Sequence, residues 1–139
     1  MERLAVGLLG VGTVGSGVVR LLDEHGDRVA RRAGCRVEIR RAVVRDTSRS
    51  RGASLRGVEV STDPWQVIRD PEIDVVVETM GGTDPTLKVV LDALAAGKHV
   101  VTANKALLAE HGPEVFAAAR KYGRAVAFEA SVAGGIPIV

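Results

Sequence analysis

The sequence predicts an α/β fold with a doubly wound parallel sheet, because strand-like and helix-like segments alternate along the chain. Five short apolar runs are typical of strands that helices cover on both faces. These runs are Leu4–Leu9, Val37–Val44, Val75–Glu78, His99–Thr102 and Ala125–Glu129. Right-handed crossovers between parallel strands lay the intervening helices over the sheet. A flavodoxin-like domain that binds no dinucleotide has the same periodicity, so this pattern specifies the fold class before it specifies a ligand.

Four segments have apolar residues at helical spacing, which predicts four helices. Aspartate followed by proline is a favoured helix start, with the aspartate as N-cap and the proline at the first helical position. The predicted helices are Thr13–Leu22, a segment starting at Asp63 and Pro64, a segment from Asp84 and Pro85 to Gly97, and a segment from Pro113 to Tyr122 with Gly123 beyond its end.

Composition limits the chain to one globular domain, spanning residues 1–139. Its 139 residues, 46% of them hydrophobic, suffice for one core, but two separate domains would each need on the order of 100 residues. Cys35 is the one cysteine and cannot form an internal disulfide, and no apolar run suggests a membrane span or export signal, so we expect a cytoplasmic protein. The arginines concentrate between Arg28 and Arg56 and aromatic residues make up 3%, which favours a local anion site over a nucleic-acid surface.

A glycine-rich loop, Gly10-Val11-Gly12-Thr13-Val14-Gly15, joins the first strand to the first helix. This strand-loop-helix setting is the one in which the pattern marks a dinucleotide-binding, Rossmann-like fold. Gly10 allows the tight turn, Gly12 lets the backbone approach a pyrophosphate, and Gly15 lets the helix pack close to the strand. The helix start offers backbone amides at Thr13 and Val14. The alternative is a glycine-rich turn that binds nothing.

The end of the second strand bears on the choice between NADP and NAD. An acidic side chain there selects NAD, whereas an arginine accommodates the 2′-phosphate of NADP. Arg45 comes first after Val44, and Arg49 and Arg51 follow in a loop of hydroxyl residues, so we favour NADP. Asp46 is the contrary observation, because a shift of one residue would place its carboxylate at the ribose and make NAD possible. The arginines could also form a solvated basic loop.

Two later strand ends carry further candidate site residues, since ligands of open α/β sheets bind beyond the carboxyl ends of the strands. The turn Glu78-Thr79-Met80-Gly81-Gly82 follows one strand, and its paired glycines let the backbone come close to the nicotinamide side of a cofactor. Thr102-Ala103-Asn104-Lys105 follows the next. A lysine there can hold a phosphate, a ribose hydroxyl or a carbonyl oxygen that develops negative charge. An ordinary turn and a surface lysine are the alternatives.

Together these segments resemble a known family. The glycine loop from Gly10 to Gly17, the turn from Glu78 to Gly82, the segment from Thr102 to Lys105 and the segment from Glu129 to Ile138 are similar to the amino-terminal NAD(P)-binding domain of homoserine dehydrogenase. The glycine loop is common to many dehydrogenases, whereas the last two segments are specific. The resemblance covers nearly the whole chain.

The resemblance implies NAD(P)-dependent interconversion of L-aspartate 4-semialdehyde and L-homoserine, a step in threonine, methionine and isoleucine biosynthesis. It implies pyrophosphate contacts from Gly12, Thr13 and Val14, an adenosine-phosphate contact from Arg45, and nicotinamide contacts from Thr79, Met80 and the neighbouring Gly81. It makes Lys105 a ligand of the cofactor ribose and the candidate catalytic residue. It also implies a sodium ion on the backbone carbonyls of Glu129, Val132, Gly134 and Ile136, which suits a hard cation.

The sequence departs from the family at its carboxyl end. The dimerisation and substrate domain expected there is absent, and with it the acidic residues and second lysine that bind homoserine and transfer its proton. We therefore expect this chain to bind cofactor without turnover, and the full-length enzyme to be a homodimer or larger. Two alternatives remain, an NAD(P)-sensing module without chemistry and the cofactor domain of a related amino-acid or semialdehyde dehydrogenase. A sensor has no need of Lys105 facing the nicotinamide, which favours the enzyme.

Overall fold

Strands and helices alternate in a computed structural model that describes residues 2–48 and 54–128. The strands are β1 (Arg3–Leu9), β2 (Arg36–Val43), β3 (Glu59–Ser61), β4 (Val75–Glu78), β5 (His99–Thr102) and β6 (Val126–Ala127). The helices are α1 (Thr13–Ala33), α2 (Trp65–Ile68), α3 (Thr86–Ala95) and α4 (Lys105–Tyr122). The predicted α/β class is confirmed.

The strands form one parallel sheet in the order β3-β2-β1-β4-β5-β6. This is the Rossmann order, in which the chain reverses direction across the sheet between β1 and β4 and leaves a crevice at their carboxyl ends. Leu9 of β1 pairs with Val43 of β2 and with Glu78 of β4. Glu78 in turn pairs with Thr102 of β5. Four strands therefore end in one row, which brings their following loops to the same edge.

The core lies on both faces of the sheet. Because side chains alternate along a strand, Leu8 packs on one face with Val19 of α1, and Leu9 packs on the other with Val90 of α3. Both leucines are fully buried, and burial of each contributes about 2 kcal/mol to stability. This apolar packing on both faces is what the continuous apolar runs predicted.

A buried ionic cluster ties together the amino-terminal edge of the sheet, away from the row of carboxyl ends. Asp70 accepts hydrogen bonds from Nε of Arg40 at 2.8 Å and of Arg41 at 2.7 Å. Lys98 is 3% exposed and donates to the carbonyls of Asp70 at 2.7 Å and Ile73 at 2.9 Å. Burial lowers the pKa of Lys98. The cluster joins β2, the segment before β4 and the start of β5.

Several element boundaries differ from those predicted. Helix α1 continues from Leu22 to Ala33, past non-helical backbone at His25. Its second half is rich in exposed charge, so no apolar stripe marked it. Strand β3 was not predicted, because two of its three residues are exposed at the sheet edge. The last predicted strand is described only at Val126–Ala127, and its predicted end, Glu129, lies outside the described residues.

Three predicted helix starts were wrong. Helices α2 and α3 begin at Trp65 and Thr86, one residue later than predicted, with the preceding proline and not the aspartate in the N-cap position. Helix α4 begins at Lys105 rather than at Pro113, which lies inside it just after non-helical backbone at His111. A proline lacks the amide hydrogen that a helix interior uses, which is why Pro113 looked like a start. The predicted end at Gly123 is confirmed by its left-handed backbone, with φ of 62°.

Candidate cofactor-binding site

The loops that carry the predicted site residues all leave the sheet at the aligned carboxyl ends of β1, β2, β4 and β5. The glycine loop follows β1, Arg45 follows β2, the turn at Met80 follows β4, and Lys105 follows β5. Parallel pairing alone therefore gathers candidate residues that are far apart in sequence.

Close packing fixes the glycine loop against β4. Gly10 has φ of 95°, which favours glycine, and a Cβ atom there would lie 2.9 Å from the carbonyl oxygen of Thr79. A Cβ atom on Gly15 would overlap the carbonyl oxygen of Gly10. The hydroxyl of Thr79 donates to the carbonyls of Gly10 at 2.7 Å and Leu9 at 3.1 Å. The roles predicted for Gly10 and Gly15, a tight turn and close packing, match these contacts.

The start of α1 faces open space. A Cβ atom on Gly12, the N-cap of α1, would meet no heavy atom of the described residues within 4 Å. Within the described residues no side chain caps the helix, and its first turn holds no acidic residue. Thr13 and Val14 are exposed, whereas the side chain of Val11 packs in the core. Unpaired amides and the positive end of a helix dipole make the start of α1 an anion site. Because the side chain of Val11 is buried, Val11 can contact a ligand there only through its backbone.

The loop between β2 and β3 presents two exposed arginines within its described part, Arg45 directly beyond β2 and Arg56 shortly before β3. Val44 is buried and donates its amide to the carbonyl of Ser61 at 2.9 Å, and Arg45 beyond it is exposed. Oδ1 of Asp46 accepts hydrogen bonds from the amide of Ser48 at 2.9 Å and from its hydroxyl at 2.6 Å. The Asp46 carboxylate thus stabilises the turn of the loop to which it belongs. The predicted phosphate ligands Arg49 and Arg51 lie outside the described residues.

The turn after β4 is built around a buried acid. Oε1 of Glu78 accepts hydrogen bonds from the amides of Met80 at 2.8 Å and Gly81 at 3.1 Å. Gly81 and Gly82 follow with φ of 76° and 73°, a backbone conformation that L side chains rarely adopt. Met80 is half-buried and packs against the core on the α3 side of the sheet. The turn is therefore held by Glu78 while its glycines are exposed.

Lys105 is the first residue of α4 and is exposed. The N-cap of this helix is Asn104, whose Oδ1 accepts a hydrogen bond from the amide of Leu107 at 3.0 Å. Over the parts of the chain that the structure describes, the Lys105 ammonium has neither an ion pair nor a hydrogen bond. A cation at the positive end of a helix is electrostatically unfavourable. Its position is suited to a negatively charged or electron-rich oxygen from a ligand.

Comparison with known proteins identifies the family. The family model described as the NAD binding domain of homoserine dehydrogenase matches residues 10–129. This chain belongs to that family. It is 47% identical to the homoserine dehydrogenase of Bacillus subtilis and 45% identical to that of Pseudomonas aeruginosa, in each case over 100% of the chain and 32% of the relative. The chain thus spans about a third of the length of these homoserine dehydrogenases.

Solved structures agree with the family assignment. The crystal structure of a homoserine dehydrogenase from Thiobacillus denitrificans superimposes with a TM-score of 0.90 at 47% identity, covering 99% of this chain and 32% of that one. A more distant match is GenD2 from gentamicin A biosynthesis in complex with NAD, with a TM-score of 0.72 at 27% identity, covering 92% of this chain and 34% of that one. The Rossmann-like fold predicted from the sequence is confirmed.

Two residues of this homoserine dehydrogenase domain were missed as site residues, Glu78 and Asn104. Each was quoted as part of a motif, but neither was assigned a role. Glu78 is fully buried and Asn104 is 6% exposed, and both bond to the loops at the carboxyl edge. An acidic residue closing the otherwise apolar strand Val75–Glu78 was the signal available in the sequence, because a buried acid requires donors nearby.

The predicted sodium ligands Glu129, Val132, Gly134 and Ile136 lie outside the described residues. Elsewhere, in residues 2–48 and 54–128, no group of three or more His, Cys, Asp or Glu side chains could hold a metal ion. No helix within these same ranges is long and apolar enough to cross a membrane.

Proposed function

We propose that this chain is the cofactor-binding domain of a homoserine dehydrogenase and that it binds NADP(H) along the carboxyl edge of its sheet. The observation that carries the proposal is the open, uncapped start of α1 beside Gly12, at the switch point between β1 and β4. Dinucleotides bind Rossmann folds at this point, with the pyrophosphate on the helix start.

The pyrophosphate contacts come from backbone amides. Gly12 leaves space for a phosphate because, in the part of the chain that the structure describes, no heavy atom lies within 4 Å of where its Cβ would be. In that same part the amides of Thr13 and Val14 have no capping side chain. Their partial positive charge and the helix dipole compensate the phosphate charge. Two residues hold the loop on its protein side. Val11 packs in the core, and Gly15 packs against Gly10.

Arg45 confers the preference for NADP over NAD. It is the first exposed side chain beyond the buried end of β2, where the adenosine ribose lies in Rossmann domains. Asp46 is the residue that would favour NAD, but its Oδ1 already accepts two hydrogen bonds from Ser48. A guanidinium can bind a phosphate in a bidentate manner, which gives strong, directional recognition.

Lys105 is the catalytic residue of this domain. When bound, NADPH supplies the hydride that reduces the aldehyde carbon of L-aspartate 4-semialdehyde to give L-homoserine. Thr79, Met80 and Gly81 border the nicotinamide half, and Lys105 holds the cofactor ribose and the aldehyde oxygen from the neighbouring strand end. An ammonium beside the positive end of α4 stabilises negative charge on that oxygen.

The remaining parts of the reaction belong to the portion of the relatives that this chain does not match. We place there the small-molecule substrate contacts, the proton donor and the dimer interface, and we assign the complete enzyme to the cytoplasm. This chain alone then binds cofactor without turning over L-homoserine and NADP⁺. A sodium ion on the carbonyls of Glu129, Val132, Gly134 and Ile136 stays a prediction from the family resemblance.

The proposal is tested by calorimetric titration of the chain with NADPH, using Gly12→Ala as the variant. The added methyl group enters the space assigned to the pyrophosphate without touching the fold, so we expect at least about a tenfold loss of affinity, which corresponds to about 1.4 kcal/mol. Gly26→Ala is the control, because Gly26 lies in the second half of α1 and its Cβ would also meet nothing within 4 Å. Absence of NADPH binding by the unaltered chain, or equal binding by both variants, would contradict the proposal.

A further inference from the structure

We infer that Glu78 is a positioning residue, which locks the turn at Met80 and the start of α4 at Lys105 into one rigid unit. The inference rests on the proposed function, because these two loops are the ones assigned to the nicotinamide half of the cofactor. It adds a role for a residue that does not itself face the ligand. Glu78 is 0% exposed, so it can act only through its neighbours.

The two carboxyl oxygens of Glu78 bond to different loops. Oε1 accepts the amide hydrogens of Met80 and Gly81, which fixes the turn that follows β4. Oε2 accepts the hydroxyl hydrogen of Thr102 at 2.7 Å, and Thr102 ends the neighbouring strand β5. One side chain therefore spans the two adjacent strand ends between which we place the nicotinamide.

From Thr102 the connection continues to the start of α4. The hydroxyl oxygen of Thr102 accepts the amide hydrogen of Asn104 at 3.1 Å. The side chain of Asn104 bonds in two directions, since its Nδ2 donates to the carbonyl of Gly82 at 2.6 Å and its Oδ1 caps α4 through Leu107. The hydrogen bonds thus form a closed circuit from Glu78 through both loops. Lys105 is covalently next to Asn104, so this circuit fixes where its backbone lies.

Burial of the Glu78 carboxyl destabilises the fold unless its hydrogen bonds to the two loops compensate. No arginine, lysine or histidine in residues 2–48 or 54–128 forms an ion pair with Glu78, and its three donors are two amides and a hydroxyl. A buried acid without a cationic partner carries a desolvation penalty that an apolar side chain in the same strand would avoid. The two acceptor oxygens of Glu78 let one side chain hold both loops. Glutamine could reach both loops only by donating its side-chain amide to the Thr102 hydroxyl oxygen, so Glu78→Gln exchanges three charge-assisted hydrogen bonds for weaker neutral ones.

The test compares two ligands for the variants Glu78→Gln and Thr102→Val. NADPH spans both halves of the site, whereas adenosine 2′,5′-bisphosphate fills only the adenosine half. We expect each variant to lose about tenfold in NADPH affinity, the equivalent of one charge-assisted hydrogen bond, with affinity for the bisphosphate unchanged within about twofold. The fluorescence change of the nicotinamide on binding should shrink in parallel. Glu24→Gln, on the exposed surface of α1, is the control and should change neither.

The outcomes separate this inference from the proposal on which it rests. If the unaltered chain fails to bind NADPH, the proposed function is wrong and the inference falls with it. If the unaltered chain binds NADPH but the variants lose both ligands equally, or lose neither, then Glu78 only supports the fold and the inference is overturned. Thr102→Val keeps the side-chain shape and leaves Glu78 in place. If Glu78→Gln fails to fold, the affinities of Thr102→Val for the two ligands still show whether the Glu78–Thr102 hydrogen bond positions the loops.

Discussion

Gly15 of α1 packs directly against Gly10 of the preceding loop, so that a Cβ atom on Gly15 would overlap the Gly10 carbonyl oxygen. The obstructing atoms are backbone and cannot rotate away. A steric change here must therefore move the helix relative to β1, which displaces the amides of Thr13 and Val14 as well as lowering stability.

Replacing Gly15 with alanine should lower the melting temperature by roughly 4–12 °C, since overpacking costs about 1–3 kcal/mol in a domain of this size. Thermal unfolding followed by circular dichroism measures this. Gly17→Ala is the matched control in the same helix, because its Cβ would meet nothing within 4 Å, and it should be neutral or stabilise by up to about 1 kcal/mol. Equal effects of the two substitutions would contradict the close packing described here.

The sequence predicted the central fold well because its strands are short, apolar and buried. Strands β4 and β5 were predicted with their observed bounds, since each has a core of valines with a polar residue, Glu78 or Thr102, at its carboxyl end. Strand β3 and the second half of α1 were missed for the opposite reason. Their side chains are largely exposed, and an exposed segment carries little hydrophobic periodicity to find.

Within the candidate site, the packing contacts were predictable where the glycine loop itself specifies them, as at Gly10 and Gly15. They were not predictable where the contact joins distant segments. Glu78 and Thr102 meet because β4 and β5 pair in register, and that register is a tertiary property. The start of α4 was misplaced for a different, local reason: Asn104 caps the helix through the amide of Leu107, but Pro113 offered the stronger signal in the sequence.

Arg45→Ala should remove the preference for NADPH over NADH. We expect a ten- to hundredfold loss of NADPH affinity, since a hydrogen bond to a charged group contributes about 1.5–3 kcal/mol, and little change for NADH. Calorimetric titration at two ionic strengths measures both, and added salt should weaken the NADPH complex of the unaltered chain more than its NADH complex or either complex of the variant. Arg120→Ala, near the carboxyl end of α4, is the control. A similar loss of affinity for both cofactors in Arg45→Ala would show that Arg45 does not bind the 2′-phosphate.

Lys105→Met should weaken NADPH binding while leaving stability unchanged or raising it by about 0.3–1 kcal/mol, because the cation lies at the unfavourable end of the α4 dipole. Lys121→Met is the matched control at the other end of the same helix. It should lower stability, because a cation is favourable there and its ammonium lies 5.2 Å from the centre of the Tyr122 ring. Thermal unfolding and NADPH titration of both variants provide the data. Loss of stability in Lys105→Met would mean that this lysine serves the fold.

Asp70→Asn should destabilise the chain in a manner that depends on pH. Burial raises the pKa of Asp70, but hydrogen bonds from Arg41, the Glu72 amide and Arg40 outweigh it and lower the pKa from 3.8 to about 2. A carboxyl whose pKa is lower in the folded state stabilises the fold above the unfolded value, and this stabilisation is lost as the pH falls from about 4 to about 2. The contribution is at most about 2 kcal/mol.

Urea unfolding of the unaltered chain and of Asp70→Asn at pH 7, 4 and 2.5 tests this expectation. The difference in unfolding free energy should be largest at pH 7 and should shrink between pH 4 and 2.5, because the Asp70 carboxyl takes up a proton in the unfolded state while it stays largely ionised in the folded state. Asp27→Asn is the control, because the Asp27 side chain is 86% exposed and its substitution should have a small effect throughout. The Asp70 cluster lies at the amino-terminal edge of the sheet, so NADPH affinity of the folded variant should be unchanged. A constant difference across this pH range would mean that Asp70 stabilises the fold by packing and not by charge.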